Sequence, residues 1–286
     1  MNAAIHARGL SKSYGRTRAV DHIDLDIPSG RIVGLIGPNG AGKTTALKAI
    51  LGLATFEGTL EVLGRDPSKQ RDELMNDVCF IADVAVLPRW IKVWQVIEAV
   101  EGLHKGFDRQ KCMAFLSKTK IGQDRKVKQL SKGMIAQLHL ALVMSIDARL
   151  LVLDEPTLGL DILYRKQFYT NLLNDYFDEQ RTILITTHQV EEVEHILTDL
   201  LFIQDGKLVL NSSMEDVQLR FVELMTSADE ADRARALNPM TERTLFGKHI
   251  FLFDGANRDA LQELGELRSP SVADLFVAVM GENGHE

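Results

Sequence analysis

The stretch Gly37-Pro38-Asn39-Gly40-Ala41-Gly42-Lys43-Thr44-Thr45 decides the fold. It has a glycine, four further residues and then Gly-Lys-Thr, which is the spacing of a phosphate-binding loop. An apolar run at 32–36 precedes it and predicts a buried strand, and a helical pattern follows from Lys43 to about Leu51. Because the motif requires this order of strand, loop and helix, the sequence predicts an α/β protein that binds a nucleoside triphosphate.

Each part of this phosphate loop suits a triphosphate. Glycines let the backbone curl around phosphate oxygens, and the following helix adds partial positive charge at its N-terminus. We expect Lys43 to lie over the β- and γ-phosphates and the Thr44 hydroxyl to reach a Mg²⁺ ion. The predicted nucleotide-binding residues of the loop are Gly37, Asn39, Gly40, Gly42, Lys43, Thr44 and Thr45.

Composition narrows the class of protein. The 286 residues are 45% hydrophobic and 26% charged, as expected for a soluble globular chain. We see neither an apolar run near the roughly 18 residues that a membrane span needs nor the apolar core of a signal peptide. Only Cys79 and Cys112 occur, which excludes a disulfide framework and favours a reducing cytosol.

The net charge of −7 is unevenly distributed along the chain. Residues 1–210 hold 26 basic and 26 acidic residues, whereas residues 211–286 hold 7 and 14. A balanced body and an acidic tail give no electrostatic reason to expect nucleic acid as a partner. The change in charge suggests a domain boundary near residue 210.

Hydrophobic patterns predict the organisation of the body, residues 1–210. Short strands at 5–10, 23–27 and 58–62 predict an antiparallel β flank. Continuous apolar runs at 150–153 and 182–186 predict strands buried in a parallel sheet, with a long helix between them. Three-residue spacing predicts an inserted helical subdomain at about 90–145, and a further helix is expected at about 190–197.

The tail, residues 211–286, is less informative. It contains a strand pattern at 251–253 and an amphipathic helix pattern at 271–280. These patterns predict a small C-terminal α+β appendage. The predicted fold class is therefore α/β: a phosphate-loop NTPase core with an antiparallel β flank, an inserted helical subdomain and this appendage.

Two carboxylates follow the apolar run at 150–153. Asp154, at the predicted strand end, is placed to hold Mg²⁺ through water opposite Thr44. Glu155 is suited to orient or deprotonate the attacking water. A solvated acidic turn is the alternative, but the phosphate loop upstream favours catalysis.

Four further motifs occur in the order found in one family, the ATP-binding subunits of ABC transporters, which the chain resembles over residues 5–210. The motifs are Ser13-Tyr14-Gly15, Leu130-Ser131-Lys132-Gly133-Met134, Thr157-Leu158-Gly159-Leu160-Asp161 and Thr187-His188. Each is weak alone, but the ordered set is specific. The resemblance implies ATP with Mg²⁺ as cofactors and ATP hydrolysis as the activity.

The resemblance also implies a role for each motif. Tyr14 would stack on adenine, although it could instead be a turn aromatic packed on the sheet. His188 would contact the γ-phosphate, although a core or capping histidine would give the same pattern. Ser131 and Gly133 would form an anion site at a helix N-terminus, and Asp161 is the acidic residue of its loop. In the family these sites close on ATP held by a second subunit, which implies a homodimer.

The chain departs from the family pattern at two places. The signature has Lys132 for a glycine and Met134 for a glutamine, and this form also resembles exporters that have separate membrane subunits. Asp83 stands where the family has a glutamine that senses Mg²⁺, and a carboxylate can still hold the ion through water. Val86, Trp90 and Trp94 are candidates to line the groove that receives the membrane subunit, although both tryptophans could equally be core.

These observations predict a cytoplasmic ATPase subunit, peripheral at the inner face of the cell membrane, that drives export through a separate transmembrane permease. The first alternative is a soluble ABC ATPase that acts on DNA or the ribosome. The 88 residues from Lys43 to Ser131 leave no room for the long coiled coil of the repair proteins, and translation factors usually carry two such domains. A second alternative is a catalytically weak regulatory subunit, suggested by Asp83 and the altered signature.

Overall fold

The computed structural model describes residues 3–81, 87–158 and 160–282, and its centre is a six-stranded sheet in the order β5-β6-β7-β3-β8-β9. Every neighbouring pair is parallel except β8 and β9. Residues of β3, β6 and β7 are buried throughout, as their apolar runs predict. The six strands are β3 Ile32–Ile36, β5 Val78–Ile81, β6 Leu150–Asp154, β7 Thr182–Thr187, β8 Asp199–Gln204 and β9 Lys207–Ser213.

The predicted antiparallel flank is a three-stranded sheet in the order β2-β1-β4. Its strands are β1 Ala3–Tyr14, β2 Thr17–Pro28 and β4 Glu57–Val62. Apolar side chains of this sheet share one hydrophobic core with α1, Lys43–Ile50, and with one face of the central sheet. The phosphate loop is therefore held between two sheets. A one-turn helix, α2 at Arg71–Leu74, leads into β5.

The inserted helical subdomain has a hydrophobic core of its own. It comprises α3 Val93–Leu103, α4 Arg109–Ser117, a 3₁₀ turn at Val127–Gln129 and α5 Lys132–Val143. Helices α3 and α4 are separate, and Asp108 caps α4 by accepting a hydrogen bond of 2.9 Å from the Lys111 amide. These elements lie between Val93 and Val143, and the sequence predicted the subdomain at about 90–145.

The segment that follows β7 differs from the prediction. A helix expected at about 190–197 is instead two 3₁₀ turns, Val190–Glu192 and Glu194–Ile196. Val190, Val193 and Ile196 are all buried, and this three-residue spacing matches the period of a 3₁₀ helix, not that of an α-helix. Before β7, α6 at Ile162–Asn171 ends in a π turn at Leu172–Tyr176.

The C-terminal part has the α+β composition that the sequence predicts. Its four-stranded antiparallel sheet has the order β11-β12-β10-β13, with strands at Thr241–Leu245, Lys248–Asp254, Phe221–Thr226 and Glu266–Arg268 respectively. Its helices are α7 Met214–Arg220, α8 Ala231–Arg235, α9 Arg258–Gln262 and α10 Val272–Glu282. The proposed boundary at residue 210 lies within β9.

Helix α10 packs on the main body of the protein. The rings of Phe276 on α10 and Phe202 on β8 meet edge to face, with centroids 5.2 Å apart. Leu275 is fully buried, and the Val272 amide donates a hydrogen bond of 3.0 Å to Glu194, in the 3₁₀ segment after β7. The last helix of the appendage is therefore part of the hydrophobic core of the main body.

Truncation of a side chain on α10 is expected to destabilise the whole chain. Leu275→Ala should lower the free energy of unfolding by about 2–5 kcal/mol, because the side chain leaves a cavity in the shared core. Val277→Ala on the same helix is the control, since Val277 is exposed and should change stability by no more than about 0.5 kcal/mol. Urea denaturation checks both values, and a loss for Leu275→Ala as small as that expected of the control would show that α10 does not stabilise the body.

Candidate nucleotide-binding and catalytic site

The phosphate loop connects the carboxyl end of β3 to α1. Gly40 and Gly42 have φ angles of +86° and +111°, which L side chains rarely adopt. A Cβ atom at Gly42 would lie 2.3 Å from the carbonyl oxygen of Ala19. Glycine is therefore required at Gly42 both for the backbone conformation and for space. The first amides of α1 have no partners within the helix, which suits them to an anion.

Lys43 lies across the loop from which it emerges. Its side chain is 7% exposed, and Nζ donates to the carbonyls of Gly37 at 2.7 Å and Pro38 at 3.1 Å. Nζ is also 3.8 Å from a carboxylate oxygen of Glu155. Burial lowers the pKa of Lys43, and the charges of Glu155 and Asp154 oppose that shift. The ammonium is thus held at the centre of the site.

Asp154 is buried at the end of β6 between two hydroxyl groups. The Thr44 hydroxyl donates to one carboxylate oxygen at 3.2 Å, and the Thr186 hydroxyl donates to the other at 2.5 Å. A hydroxyl and a carboxylate are the oxygen ligands that Mg²⁺ prefers. These residues therefore fit that ion chemically. Asp83, the third candidate ligand, lies outside the described residues.

Glu155 has an unusual backbone conformation. Its φ angle is +49°, in the left-handed region that non-glycine residues seldom occupy. The Glu155 amide is fixed by Thr186, whose carbonyl and hydroxyl oxygens accept at 3.1 and 3.2 Å. The carboxylate lies 2.9 Å from Nδ1 of His188. The surrounding contacts therefore hold the Glu155 side chain in one orientation.

One cleft, with a volume of about 430 Å³, contains most of the predicted site residues. Ala19 and Leu158 contribute to its walls. The predicted residues that line it are Asn39, Gly40, Gly42, Lys43, Thr44, Thr45, Glu155 and His188. The structure thus brings the phosphate loop, the second carboxylate and the histidine together, although they are far apart in the sequence.

Tyr14 lies at the end of β1 and does not line this cleft. Its side chain is 50% exposed, and the ammonium of Lys12 lies 5.1 Å from the centre of the ring. About half of the ring is therefore accessible to a flat ligand, and half is covered by the protein.

Ser131, Gly133 and Asp161 also lie outside the cleft. The Ser131 hydroxyl caps α5, accepting from the Met134 amide at 3.2 Å, and Asp161 caps α6. Both side chains are exposed, whereas Gly133 is buried. The capping roles are therefore present, and the polar groups at the two helix N-termini remain accessible to solvent.

Known proteins identify the family. A family model described as ABC transporter matches residues 20–158. Nod factor export ATP-binding protein I of Cupriavidus metallidurans is 32% identical over 275 residues, which cover 88% of this chain and 87% of that protein. The chain belongs to the ABC transporter ATP-binding proteins. Members of this family bind and hydrolyse ATP, so the chain is an ATPase of the ABC type.

Further relatives of this ABC protein are also ATP-binding proteins of transporters. Lantibiotic transport ATP-binding protein SrtF of Streptococcus pyogenes is 32% identical, over 73% of this chain and 90% of that protein. A solved ATP-binding subunit of an ABC transporter superposes with a TM-score of 0.67 at 21% identity, covering 76% of this chain and 92% of that one. The predicted fold class is confirmed. These relatives do not favour the alternative of a soluble ABC ATPase that acts on ribosomes or DNA.

Two groups of contacts around the ABC site were missed by the sequence reasoning. Thr186 holds both Asp154 and Glu155, and its only signal is that it is one of three threonines in a buried strand, Thr182–Thr187. Arg165 forms an ion pair with Glu192 and donates to Gln189 at 2.9 Å, next to His188. No local pattern predicts this second set, because its members are 24 to 27 residues apart.

Proposed function

We propose that this chain is the ATP-hydrolysing subunit of an exporter whose membrane-spanning part is a separate protein. The observation that carries the proposal is the contact between Glu155 and His188 within 4 Å of the Lys43 ammonium, in a single cleft. Relatives named for Nod factor export, lantibiotic transport and daunorubicin/doxorubicin resistance support export as the direction. No helix in the described ranges is both long and apolar enough to cross a bilayer.

The cleft residues divide the chemistry among them. Lys43 neutralises charge on the terminal phosphates, and the loop amides hold them. Thr44 and Asp154 would hold Mg²⁺, which neutralises phosphate charge when it is bound. Glu155 accepts a proton from the attacking water, and His188 fixes that carboxylate and contacts the γ-phosphate. In the free protein, Lys43 and His188 hold the Glu155 carboxylate ready for this role.

A second copy of the chain completes the proposed site. Ser131, with the N-terminus of α5, and Asp161 are exposed and lie outside their own cleft. In a homodimer with opposed clefts, each copy would present its α5 N-terminus to the phosphate held by the other. This arrangement would give the two exposed helix N-termini a ligand in addition to the caps that Ser131 and Asp161 already provide. Tyr14, whose side chain is half exposed, would stack on the adenine base.

An apolar groove between the central sheet and the helical subdomain supports the permease as a partner. Its volume is about 240 Å³. Leu103 stands at its edge with 80% of its surface exposed. The tryptophans do not line this groove as expected: Trp90 is exposed elsewhere, Trp94 is half-buried, and Val86 lies outside the described residues. The lining residues are Cys79, Phe80, Ile81, Leu87, Val100, Leu103, His104, His139, Leu142, Val143 and Ile146.

Docking at this groove would place the chain at the cytoplasmic face of the membrane. Leu103→Gln is expected to weaken binding to the polytopic membrane protein that copurifies with the chain by about tenfold, because an apolar contact at an interface core is lost. Leu219→Gln, at an exposed leucine on α7, is the matched control and should bind normally. Affinity measured in detergent, beside the ATPase rate of the isolated chain, checks both.

A loss of affinity confined to Leu103→Gln, with the isolated ATPase rate unchanged within about twofold, supports docking at the groove. Equal affinity of the two variants would show that the membrane protein binds elsewhere. If no membrane protein copurifies with an active ATPase, the proposed exporter role is wrong.

A further inference from the structure

Gly133 lies directly beneath the aromatic ring of Tyr164. A Cβ atom at Gly133 would be 2.5 Å from Cε2 and 2.8 Å from Cδ2 and Cζ of that ring. Gly133 is inside α5, where the backbone conformation is open to any residue. The backbone therefore does not require glycine here. The ring of Tyr164 already occupies the space that a side chain would take.

Tyr164 is itself fixed relative to the catalytic cleft. It lies in the first turn of α6, where its amide donates to the capping carboxylate of Asp161 at 3.1 Å. The adjacent Arg165 donates to the Leu160 carbonyl at 2.6 Å and to Gln189 at 2.9 Å. Because Gln189 follows His188 in the chain, these contacts join the start of α6 to the γ-phosphate side of the cleft.

The Tyr164 ring therefore contacts the N-terminal turn of α5 and is itself part of the N-terminal turn of α6. These are the two helix N-termini that would face the second copy. Ser131 caps α5 two residues before Gly133, and Asp161 caps α6 three residues before Tyr164. The contact between Gly133 and the Tyr164 ring has no room for even one methyl group. A displacement of either helix N-terminus would therefore move the other.

We propose that Tyr164 is a positioning residue that seats the N-terminus of α5, and that Gly133 is glycine in order to admit this ring. The ring fixes the position of Ser131 relative to Asp161. It thereby fixes the surface that each copy presents to the nucleotide of the other. The inference rests on the proposed homodimer. The Tyr164 hydroxyl has no hydrogen-bond partner among the described residues, so the ring alone performs this role.

The ring also borders a cavity of about 170 Å³ between α4, α5 and α6, whose lining includes Phe115, Gln137 and Phe168. This space gives the ring somewhere to go when a methyl group is added at Gly133. We therefore expect Gly133→Ala to fold, with the ring displaced and the α5 N-terminus shifted. The defect would then be in hydrolysis and not in stability.

A double-mutant cycle tests the proposal. Gly133→Ala and Tyr164→Ala should each lower kcat by about tenfold or more, because a displacement of about 1 Å far from the reacting atoms can cost up to about 100-fold. The KM for ATP should change less than about twofold, since each copy's own phosphate loop binds the nucleotide. Tyr164→Phe keeps the ring and should retain the wild-type kcat.

The double variant decides between two reasons for the glycine. If the ring is the reason, Gly133→Ala with Tyr164→Ala has the kcat of Tyr164→Ala alone, because no clash remains. The other reason for a glycine would be that a phosphate must approach the backbone at Gly133 closely. In that case the losses of kcat in Gly133→Ala and Tyr164→Ala multiply in the double variant, and the proposal is overturned. A Tyr164→Phe variant as slow as Tyr164→Ala would overturn it as well.

A Glu155→Gln background separates this inference from the homodimer on which it rests. Size-exclusion chromatography with light scattering, in Mg-ATP, reports the dimer without turnover. If the Glu155→Gln chain stays monomeric, the proposed homodimer is wrong. If it dimerises and the added Tyr164→Ala leaves the ATP concentration for half-dimerisation unchanged, the homodimer holds and the positioning role of Tyr164 is wrong. A rise of about fivefold or more in that concentration supports the inference.

Discussion

Glu155→Gln is expected to lower the rate of ATP hydrolysis by about 100- to 10,000-fold, the range that a general base contributes. The amide has nearly the same shape as the carboxylate but cannot accept the proton of the attacking water. Lys43 loses one neighbouring charge, but it keeps its hydrogen bonds to the loop carbonyls, and the loop amides are unchanged, so ATP affinity should be preserved. ATP would then stay bound between two copies, and the dimer should persist.

Steady-state phosphate release and light scattering in Mg-ATP measure the two consequences separately. Glu191→Gln is the control, because it makes the same change at an exposed carboxylate in the turn after His188. Its rate should stay within about twofold of wild type. An unchanged rate in Glu155→Gln would mean that another group activates the water. A slow rate without a persistent dimer would leave the catalytic role intact and contradict the two-copy site.

The predicted site residues that the structure places in one cleft are those encoded by short contiguous patterns. The phosphate loop needs glycine at positions of positive φ, such as Gly42, and therefore leaves a recognisable spacing. Glu155 and His188 each follow a buried strand of a parallel sheet, and the carboxyl ends of such strands meet at one edge. Their 2.9 Å contact in the structure follows from that topology.

Contacts between distant segments leave no such pattern. Arg165 and Glu192 form an ion pair from two elements separated by a whole strand, and neither residue type indicates its partner. The same pair holds Thr157, whose hydroxyl donates to Glu192 at 3.1 Å. The loop that carries Asp161 and the turn after His188 are thus joined by side chains that only the fold brings together.

The turn after His188 shows why a helical prediction failed there. Apolar residues at 190, 193 and 196 satisfy the three-residue part of an α-helical pattern, and the sequence contains no helix breaker. The segment has few internal backbone hydrogen bonds, and its position depends on α6 on one side and α10 on the other. Tertiary packing, which no local pattern reveals, therefore decided its conformation.

Tertiary contacts also determine how the C-terminal part meets the main body. A change in net charge predicted a boundary at residue 210, but β9 continues to Ser213 and α10 returns to the main core. Arg243 on β11 pairs with Asp274 on α10 and with the buried Glu223 on β10. The charge composition of a segment reflects mainly its solvent-exposed residues. Whether β9 and α10 pack on the main core depends instead on a few buried side chains, which contribute little to the charge.

The buried ammonium of Lys43 gives nucleotide binding a defined pH dependence. Burial lowers the pKa of Lys43 below the ordinary lysine value of 10.5, because the charged form is poorly solvated. Between the lowered pKa and 10.5 the unfolded chain binds more protons than the folded one, so this group makes stability rise with pH there. ATP binding needs the protonated form, so affinity should fall as pH rises through the lowered pKa.

Lys43→Met is therefore expected to weaken ATP binding strongly and to leave the free energy of unfolding nearly unchanged. Loss of two charge-assisted hydrogen bonds to phosphate, at about 1.5–3 kcal/mol each, should weaken ATP binding at pH 7 by at least about 100-fold. The unfolding free energy of the nucleotide-free chain should stay within about 1 kcal/mol of wild type, because removal of a buried charge offsets the loss of two hydrogen bonds to loop carbonyls.

Titration calorimetry with Mg-ATP and urea denaturation without nucleotide measure these two quantities. Lys48→Met is the matched control, since Lys48 lies exposed in the last turn of the same helix and should change neither. The fall in ATP affinity with rising pH should be seen in wild type and Lys48→Met and be absent in Lys43→Met, which has no proton to lose at that position. A pH dependence that survives in Lys43→Met would assign it to another group and leave Lys43 as a structural clamp of the loop.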